Sequence, residues 1–231
     1  MNLYIIVEGE QTEMMLYPRW IQYFIPELTR VDNFENITKN SYYLFSGQGI
    51  PSIYNHVVNA IKDINKIKRY DYLIVVLDAD EISVEERKQK VIDSINNSGI
   101  ELNHACKLEI IVQSRAVETW FLGNRSVYKR NPQGERFKLY SRFFNVEIND
   151  PEQMEKSFGF KRIAHFHESY LREMLKEYNI KYRKSNPGEV LKDYYLKELI
   201  NRTNDKGEHL KSLFHCFNIF IAIKNKITRD N

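Results

Sequence analysis

The sequence predicts an α/β fold with a mostly parallel sheet of four strands flanked by helices, followed by a mainly helical C-terminal extension. Two observations predict it. Four short apolar runs, Leu3-Tyr4-Ile5-Ile6-Val7, Tyr42-Tyr43-Leu44-Phe45, Tyr72-Leu73-Ile74-Val75-Val76-Leu77 and Leu108-Glu109-Ile110-Ile111-Val112, have the β-branched and aromatic content of covered strands. Segments of helical spacing separate them, as crossovers between parallel neighbours require.

The first run stops at Glu8-Gly9, and from Thr12 the residues Met14, Met15, Tyr17, Trp20, Ile21 and Phe24 recur at helical intervals, with Thr12 placed to cap the start. The second run leads through Gly47-Gln48-Gly49 into a helix whose first turn holds Pro51 and whose apolar positions include Ile53, Val57, Ile61 and Ile64. The third ends at Asp78-Ala79-Asp80. Ser83 and Glu86 then have capping-box spacing for a helix running to about Asn97, before Gly99. The fourth leads into a short helix around residues 116–122. Beyond Gly123 the chain reads as helices, with a soft boundary near Asp150-Pro151, one helix starting at Asn186-Pro187, another after Gly207, and a buried helix over 213–223. The division expected is a core of residues 1–124 and an extension of residues 125–231.

At 231 residues, 42% hydrophobic and 28% charged, the chain has enough apolar side chains for a packed core and excludes disordered and fibrous classes. Its two cysteines, Cys106 and Cys216, give neither a disulfide framework nor a closely spaced metal pair, so a reducing cytoplasmic setting is expected. The N-terminal residues lack the pattern of a signal peptide, and no apolar stretch approaches the roughly 20 residues that span a bilayer. The net charge of +3 conceals an asymmetry: residues 1–124 sum to −5 and residues 125–231 to +8. An acidic half suits a metal or acid-base site, and a basic half suits an anionic partner.

Ligands of open α/β sheets gather beyond the carboxyl ends of the strands. Glu8 follows the first strand, Asp78 and Asp80 the third, and Glu118 the fourth. In an extended segment the two aspartates would face one way, and clustered carboxylates are commonly reconciled by a divalent cation. Taken together, Ile6-Val7-Glu8-Gly9-Glu10-Gln11-Thr12-Glu13 and Asp78-Ala79-Asp80 resemble the signature of Toprim domains, over about residues 1–125. That resemblance implies a Rossmann-like core and Mg²⁺ (or Mn²⁺) held for phosphoryl transfer by Glu8, Asp78 and Asp80, with Glu13 serving a second metal. Arg115-Ala116-Val117-Glu118-Thr119-Trp120-Phe121-Leu122 is similar to the acidic-Trp helix of small bacterial Toprim-like proteins found beside phage-defence ATPases, which adds Glu118 to the metal candidates. Within that family the chain resembles most nearly the standalone bacterial Toprim-like proteins and the overcoming-lysogenization-defect type nucleases linked to phage defence. The topoisomerase body with its nucleophilic tyrosine and the primase zinc region have no counterpart here.

In the second half, Lys184 lies in Arg183-Lys184-Ser185-Asn186, just before the helix expected at Pro187, and reads either as a site where a phosphoryl group docks on free N–H groups or as an ordinary basic loop. Arg125, Lys129, Arg130, Arg136, Lys138 and Arg142, interleaved with Tyr128, Phe137, Tyr140, Phe143 and Phe144, read either as a nucleic-acid surface, with Arg183 beside it, or as core rings beneath a solvated basic face. His165-x-His167 would put two imidazoles on one side of a strand but lacks a partner at zinc spacing. Neither G-x-G-x-x-G nor G-x-x-x-x-G-K-[ST] occurs, so any ATP dependence comes from a partner.

The function expected is a metal-dependent endonuclease acting on DNA or RNA, a phage-defence or toxin-like effector working with a partner ATPase, away from membranes. Monomer and homo-oligomer stay open. An aspartyl-phosphate phosphatase with Asp78 as nucleophile, and a non-enzymatic module that binds nucleic acid or an ATPase, are the alternatives.

Overall fold

The structure is a computed structural model and describes residues 1–205 and 208–229. Its strands are β1 (Asn2–Val7), β2 (Thr29–Val31), β3 (Ser41–Ser46), β4 (Tyr72–Asp78) and β5 (Lys107–Gln113). Among the described residues its α-helices are α1 (Thr12–Phe24), α2 (Ser52–Ile67), α3 (Val84–Ser98), α4 (Val117–Phe121), α5 (Glu135–Phe143), α6 (Ile163–Lys176), α7 (Asp193–Asp205) and α8 (Lys211–Arg229). The strands make one parallel sheet in the order β2-β3-β1-β4-β5. None of the described helices is long and apolar enough to cross a membrane.

The α/β architecture follows from the expected runs, but the sheet has five strands where the runs indicate four. β1 and β4 lie side by side, with Val7 opposite Val76, and are buried along almost their whole lengths, which is why they read as unbroken apolar runs. The additional strand, Thr29-Arg30-Val31, pairs only with β3 at the edge of the sheet. Two of its three side chains are exposed, so the backbone ladder alone marks it and no hydrophobic period announces it.

By compactness the chain forms two units. One comprises Met1–Leu77, Glu85–Val112 and His215–Asn231; the other comprises Asp78–Val84 and Gln113–Phe214. The chain changes unit at the ends of β4 and β5, at the start of α3 and within α8. The soft boundary expected at Asp150-Pro151 falls inside the second unit, where Asp150 is buried and its carboxylate accepts the Glu152 and Leu210 N–H groups at 3.1 and 3.0 Å.

In the first unit, α1 is held by the C-terminal helix. Trp20 meets Phe217 edge-on at 5.5 Å, and Phe24 lies 5.2 Å from Phe217 and 5.8 Å from Phe220. The N-cap of α1 is Gln11 without a side-chain bond, so Thr12 is a buried first-turn residue rather than the cap expected. α3 ends at Ser98 before Gly99, whose φ of +66° is the left-handed conformation that glycine supplies at a helix end. Both cysteines are buried free thiols. Burial pushes the Cys106 thiol up to about 12, which leaves it inert.

The second unit is organised by rings between α5 and α6: Phe137 lies 5.8 Å from Tyr170 and 5.4 Å from Tyr128, and Tyr140 lies 5.1 Å from Phe166. His165-x-His167 is on α6, not on a strand. His167 is a core residue whose ring bonds Thr119 Oγ1 at 2.8 Å and the Met154 carbonyl at 2.9 Å. Burial lowers its pKa to about 4, so it stays neutral. Gly207, expected before the last helix, lies outside the described residues.

Glu152 is a second buried carboxyl in this unit. Its Oε1 accepts the Ser212 hydroxyl at 2.5 Å and the Ser212 N–H at 3.2 Å, and the Trp120 indole N–H donates to the same hydroxyl oxygen at 2.7 Å. Burial, with Asp150 nearby, raises its pKa to about 7 against the bonds from Ser212. A carboxyl with a raised folded pKa stabilises the fold fully below its unfolded value, near 4.5, and loses that contribution as pH rises through about 7. Glu152→Gln should therefore flatten this part of the stability profile. Melting temperatures of both proteins at pH 5 and 7.5 provide the check, and an unchanged difference between them would show that Glu152 does not titrate in this window.

Candidate metal and phosphate site

In the first unit, β1 delivers Glu8 to the carboxyl end of the sheet. The Glu8 N–H donates to the Val76 carbonyl at 2.9 Å, which extends the ladder one residue past the strand, and the Glu8 carbonyl accepts the Gly49 N–H at 3.0 Å. The Gly47-Gln48-Gly49 turn, with φ of +58° at Gln48 and +76° at Gly49, is thus tied to the backbone of Glu8. Glu13 is buried in the first turn of α1, where a carboxylate suits the positive end of the helix dipole. Its side chain folds back so closely over Gly9 that a Cβ there would overlap the carboxylate. A side chain at position 9 would displace the Glu13 carboxylate, which the start of α1 places there.

In the second unit, β4 ends at Asp78, and the extended alternation that would aim Asp78 and Asp80 the same way ends with it. Asp80 takes φ +55° and Arg115 takes φ +66°, two left-handed turns linked by the Asp80 N–H to Arg115 carbonyl bond at 2.9 Å. Each such non-glycine residue costs about 1 kcal/mol or more, so packing around them fixes this exit from the sheet.

Glu118 is fully buried on α4. Its Oε1 accepts the Tyr182 hydroxyl at 2.9 Å and lies 3.4 Å from Lys184 Nζ, whose second acidic neighbour is Glu168 Oε2 at 3.9 Å. Burial pulls the Lys184 ammonium down, but Glu118, Glu168 and Asp78 outweigh it and hold the amine above its ordinary pKa. The lysine is therefore a permanent cation at neutral pH, unsuited to act as a base. It projects from a tight turn in which the Asn186 N–H donates to the Arg183 carbonyl at 2.9 Å. The helix expected at Pro187 is a single 3-10 turn, Gly188–Leu191, so the ion pairs with Glu118 and Glu168, rather than a helix N-terminus, define the surroundings of Lys184.

Among the described residues no group of three or more His, Cys, Asp or Glu is gathered so that it could hold a metal ion. The chemistry of the donors nevertheless fits a hard divalent cation. Glu118 keeps Oε2 buried with no hydrogen-bond partner, an acceptor that a cation would satisfy, and Mg²⁺ commonly takes one or two carboxylates and completes its shell with water and phosphate oxygens.

The basic stretch is mostly compensated. Arg125 pairs with Glu198 and Asp205 at 3.0 and 3.1 Å, Lys129 with Glu177 at 3.6 Å, Arg130 with Glu147 at 2.7 Å, Arg136 with Glu173 at 3.9 Å and Lys138 with Glu135 at 2.7 Å. Arg142 and Arg183 are exposed. Tyr128 and Phe137 are buried, which favours the reading of core rings beneath a solvated face. The sequence reading missed Tyr182 and Glu168, the partners that organise Glu118 and Lys184. No local pattern marks Tyr182, which is 64 residues from Glu118; Glu168 shares a face of α6 with its ion-pair partner Arg172, an i,i+4 spacing visible in the sequence.

Comparison of the chain with family models, curated proteins and solved structures finds no match.

Proposed function

We propose that this chain is a divalent-metal-dependent nuclease that hydrolyses phosphodiester bonds of DNA or RNA. The observation that carries this reading is the cluster of Asp78, Glu118 and Glu168 charges around the Lys184 ammonium, in the unit that begins at the end of β4. Carboxylates suit a cation, and a fixed ammonium beside them suits a phosphoryl group whose charge grows in the transition state. Asp78, Asp80 and Glu118 are the ligands proposed in the second unit, with Glu8 and Glu13 of the first unit proposed from the Toprim-like signature. A bound Mg²⁺ or Mn²⁺ would supply a water of lowered pKa and charge at the leaving oxygen. Glu118, itself bonded by Tyr182, and Glu168 hold the lysine, and Lys184 neutralises phosphoryl charge. The same resemblance leads us to propose a partner ATPase.

The test is cleavage of a supercoiled plasmid and of a structured RNA in Mg²⁺, in Mn²⁺ and in EDTA. Metal-dependent cleavage of either substrate supports the reading, and intact substrate under every condition refutes it. Lys184→Ala should lower kcat by about 10²- to 10³-fold with little change in KM, as loss of a single charge-stabilising donor does. Glu118→Gln on top of Lys184→Ala should lower kcat further and raise the Mg²⁺ concentration needed, because Glu118 is also a proposed metal ligand. Equal changes in kcat and KM on Lys184→Ala, or no change, would return Lys184 to a structural role.

A further inference from the structure

Between the 3-10 turn at Pro151–Gln153 and α6 lies a loop that serves no part of the cluster above: Lys156-Ser157-Phe158-Gly159-Phe160-Lys161-Arg162. It carries three cations and no acid, and Phe158 at its tip is fully exposed. A single exposed apolar side chain is ordinary on a protein surface, so what sets Phe158 apart is its setting, an aromatic tip among three cations.

The loop is built to hold that ring outward. Gly159 takes φ +90°, a turn that side chains disfavour, and the next residue, Phe160, is anchored inward 5.1 Å from Phe166 and 6.2 Å from Tyr140. Lys156 Nζ donates to the Lys161 carbonyl at 3.0 Å and closes the loop on itself.

Both ends of the loop are tied to the segment that contains Asp78 and Asp80. On one side Glu155 pairs with Arg115 at 2.9 Å, and Arg115 Nη1 also reaches the Asp80 carbonyl at 3.5 Å. On the other, Glu81 Oε1 accepts the Ile163 N–H at 2.7 Å, which caps α6 where Arg162 supplies no side-chain cap. The two ends of the loop are thus held to the segment of the two aspartates.

We propose that residues 156–162 form a stacking site for an unpaired base of a single-stranded nucleic acid, with Phe158 as the platform and Lys161 and Arg162 meeting the flanking phosphates. The proposal rests on the nuclease reading and names its substrate class. A flat ring beside cations matches a base joined to phosphates, since every base offers a π-face and every linkage a negative charge. Insertion into a lipid surface would instead call for several exposed apolar side chains, and this loop presents one.

The experiment measures binding of a fluorescein-labelled oligothymidylate, and of a duplex of the same length, to the full chain in EDTA, where no cleavage intervenes. The native protein should favour the single strand. Phe158→Ala should weaken that binding about 5- to 150-fold, the equivalent of ~1–3 kcal/mol of base stacking, whereas Phe158→Trp should retain it and show quenching of the new indole. An unchanged melting temperature for Phe158→Ala separates lost binding from lost folding. Native affinity in Phe158→Ala, equal loss on duplex and single strand, or no oligonucleotide binding by the native chain would overturn the proposal. The two readings fail separately: a Phe158-dependent grip without metal-dependent cleavage removes the nuclease and keeps the loop, while cleavage with an indifferent Phe158 does the reverse.

Discussion

Asp78→Asn and Asp80→Asn should each reduce metal-dependent cleavage by at least ~100-fold and leave the protein folded. Asparagine keeps the shape of aspartate and one acceptor oxygen but removes the charge that a hard cation requires. The bonds that fix this exit from the sheet are made by the main chain, the Ala79 N–H to the Gln113 carbonyl and the Asp80 N–H to the Arg115 carbonyl, both at 2.9 Å, and substitution of the side chains spares them. Without metal, losing one of two acids separated by a single residue should leave the melting temperature unchanged or raise it. Stabilisation of the native protein by Mn²⁺ should shrink in both variants, because a ligand that binds only the folded state stabilises it by an amount that falls as its Kd rises. Cleavage rates and melting curves with and without Mn²⁺ measure both effects, and Glu8→Gln belongs in the same series. Native rates in Asp78→Asn and Asp80→Asn would remove the pair from the chemistry.

Arg202→Met should be the most destabilising single change, costing about 3–5 kcal/mol. The Arg202 guanidinium is fully buried on α7 and donates to the carbonyls of Gly123 at 3.1 Å, Val146 at 2.7 Å and Asn149 at 2.7 Å, with His209 Nδ1 at 3.2 Å. Burial, with Arg125 nearby, lowers its pKa to about 10, so it remains charged at neutral pH. Methionine fills much of the same volume but leaves three carbonyls without this donor, each at the cost of an unmet buried acceptor. For a chain of this length the loss corresponds to a melting temperature lower by roughly 6–20 °C. The conservative change Arg202→Lys would recover only part of it, since an ammonium offers its donors from one nitrogen, whereas Arg202 reaches its carbonyls from two. A melting temperature within a few degrees of the native value would show that water replaces the guanidinium.

The sequence declares most of the sheet because strands covered on both faces must be apolar at every position, as β1 and β4 are. It conceals β2, whose exposed side chains carry no period. The site divides the same way. Asp78-Ala79-Asp80 stands out because it interrupts an apolar run, and Glu8 because it ends one. The setting of Lys184 is not legible, since the residues that surround it come from α4, α6 and a turn, and nothing in Arg183-Lys184-Ser185-Asn186 points to Glu118. The basic stretch misleads for a related reason: the acids that neutralise Arg130 and Arg136, Glu147 and Glu173, lie outside it. By contrast, the loop around Phe158 is visible as Phe-Gly-Phe set among three cations, but only burial tells which ring faces inward.

The packing of the last helix against α1 has a consequence for how the protein is made. Glu27 and its ion-pair partner Lys224 are 197 residues apart, and Trp20 and Phe24 find Phe217 only across a similar span. A ribosome adding about 5–20 residues per second needs roughly 10–40 s to bridge that distance. Until α8 has been made, α1 has no Phe217 or Phe220 to cover its aromatic side, so the first unit can close only after the residues of the second have been synthesised.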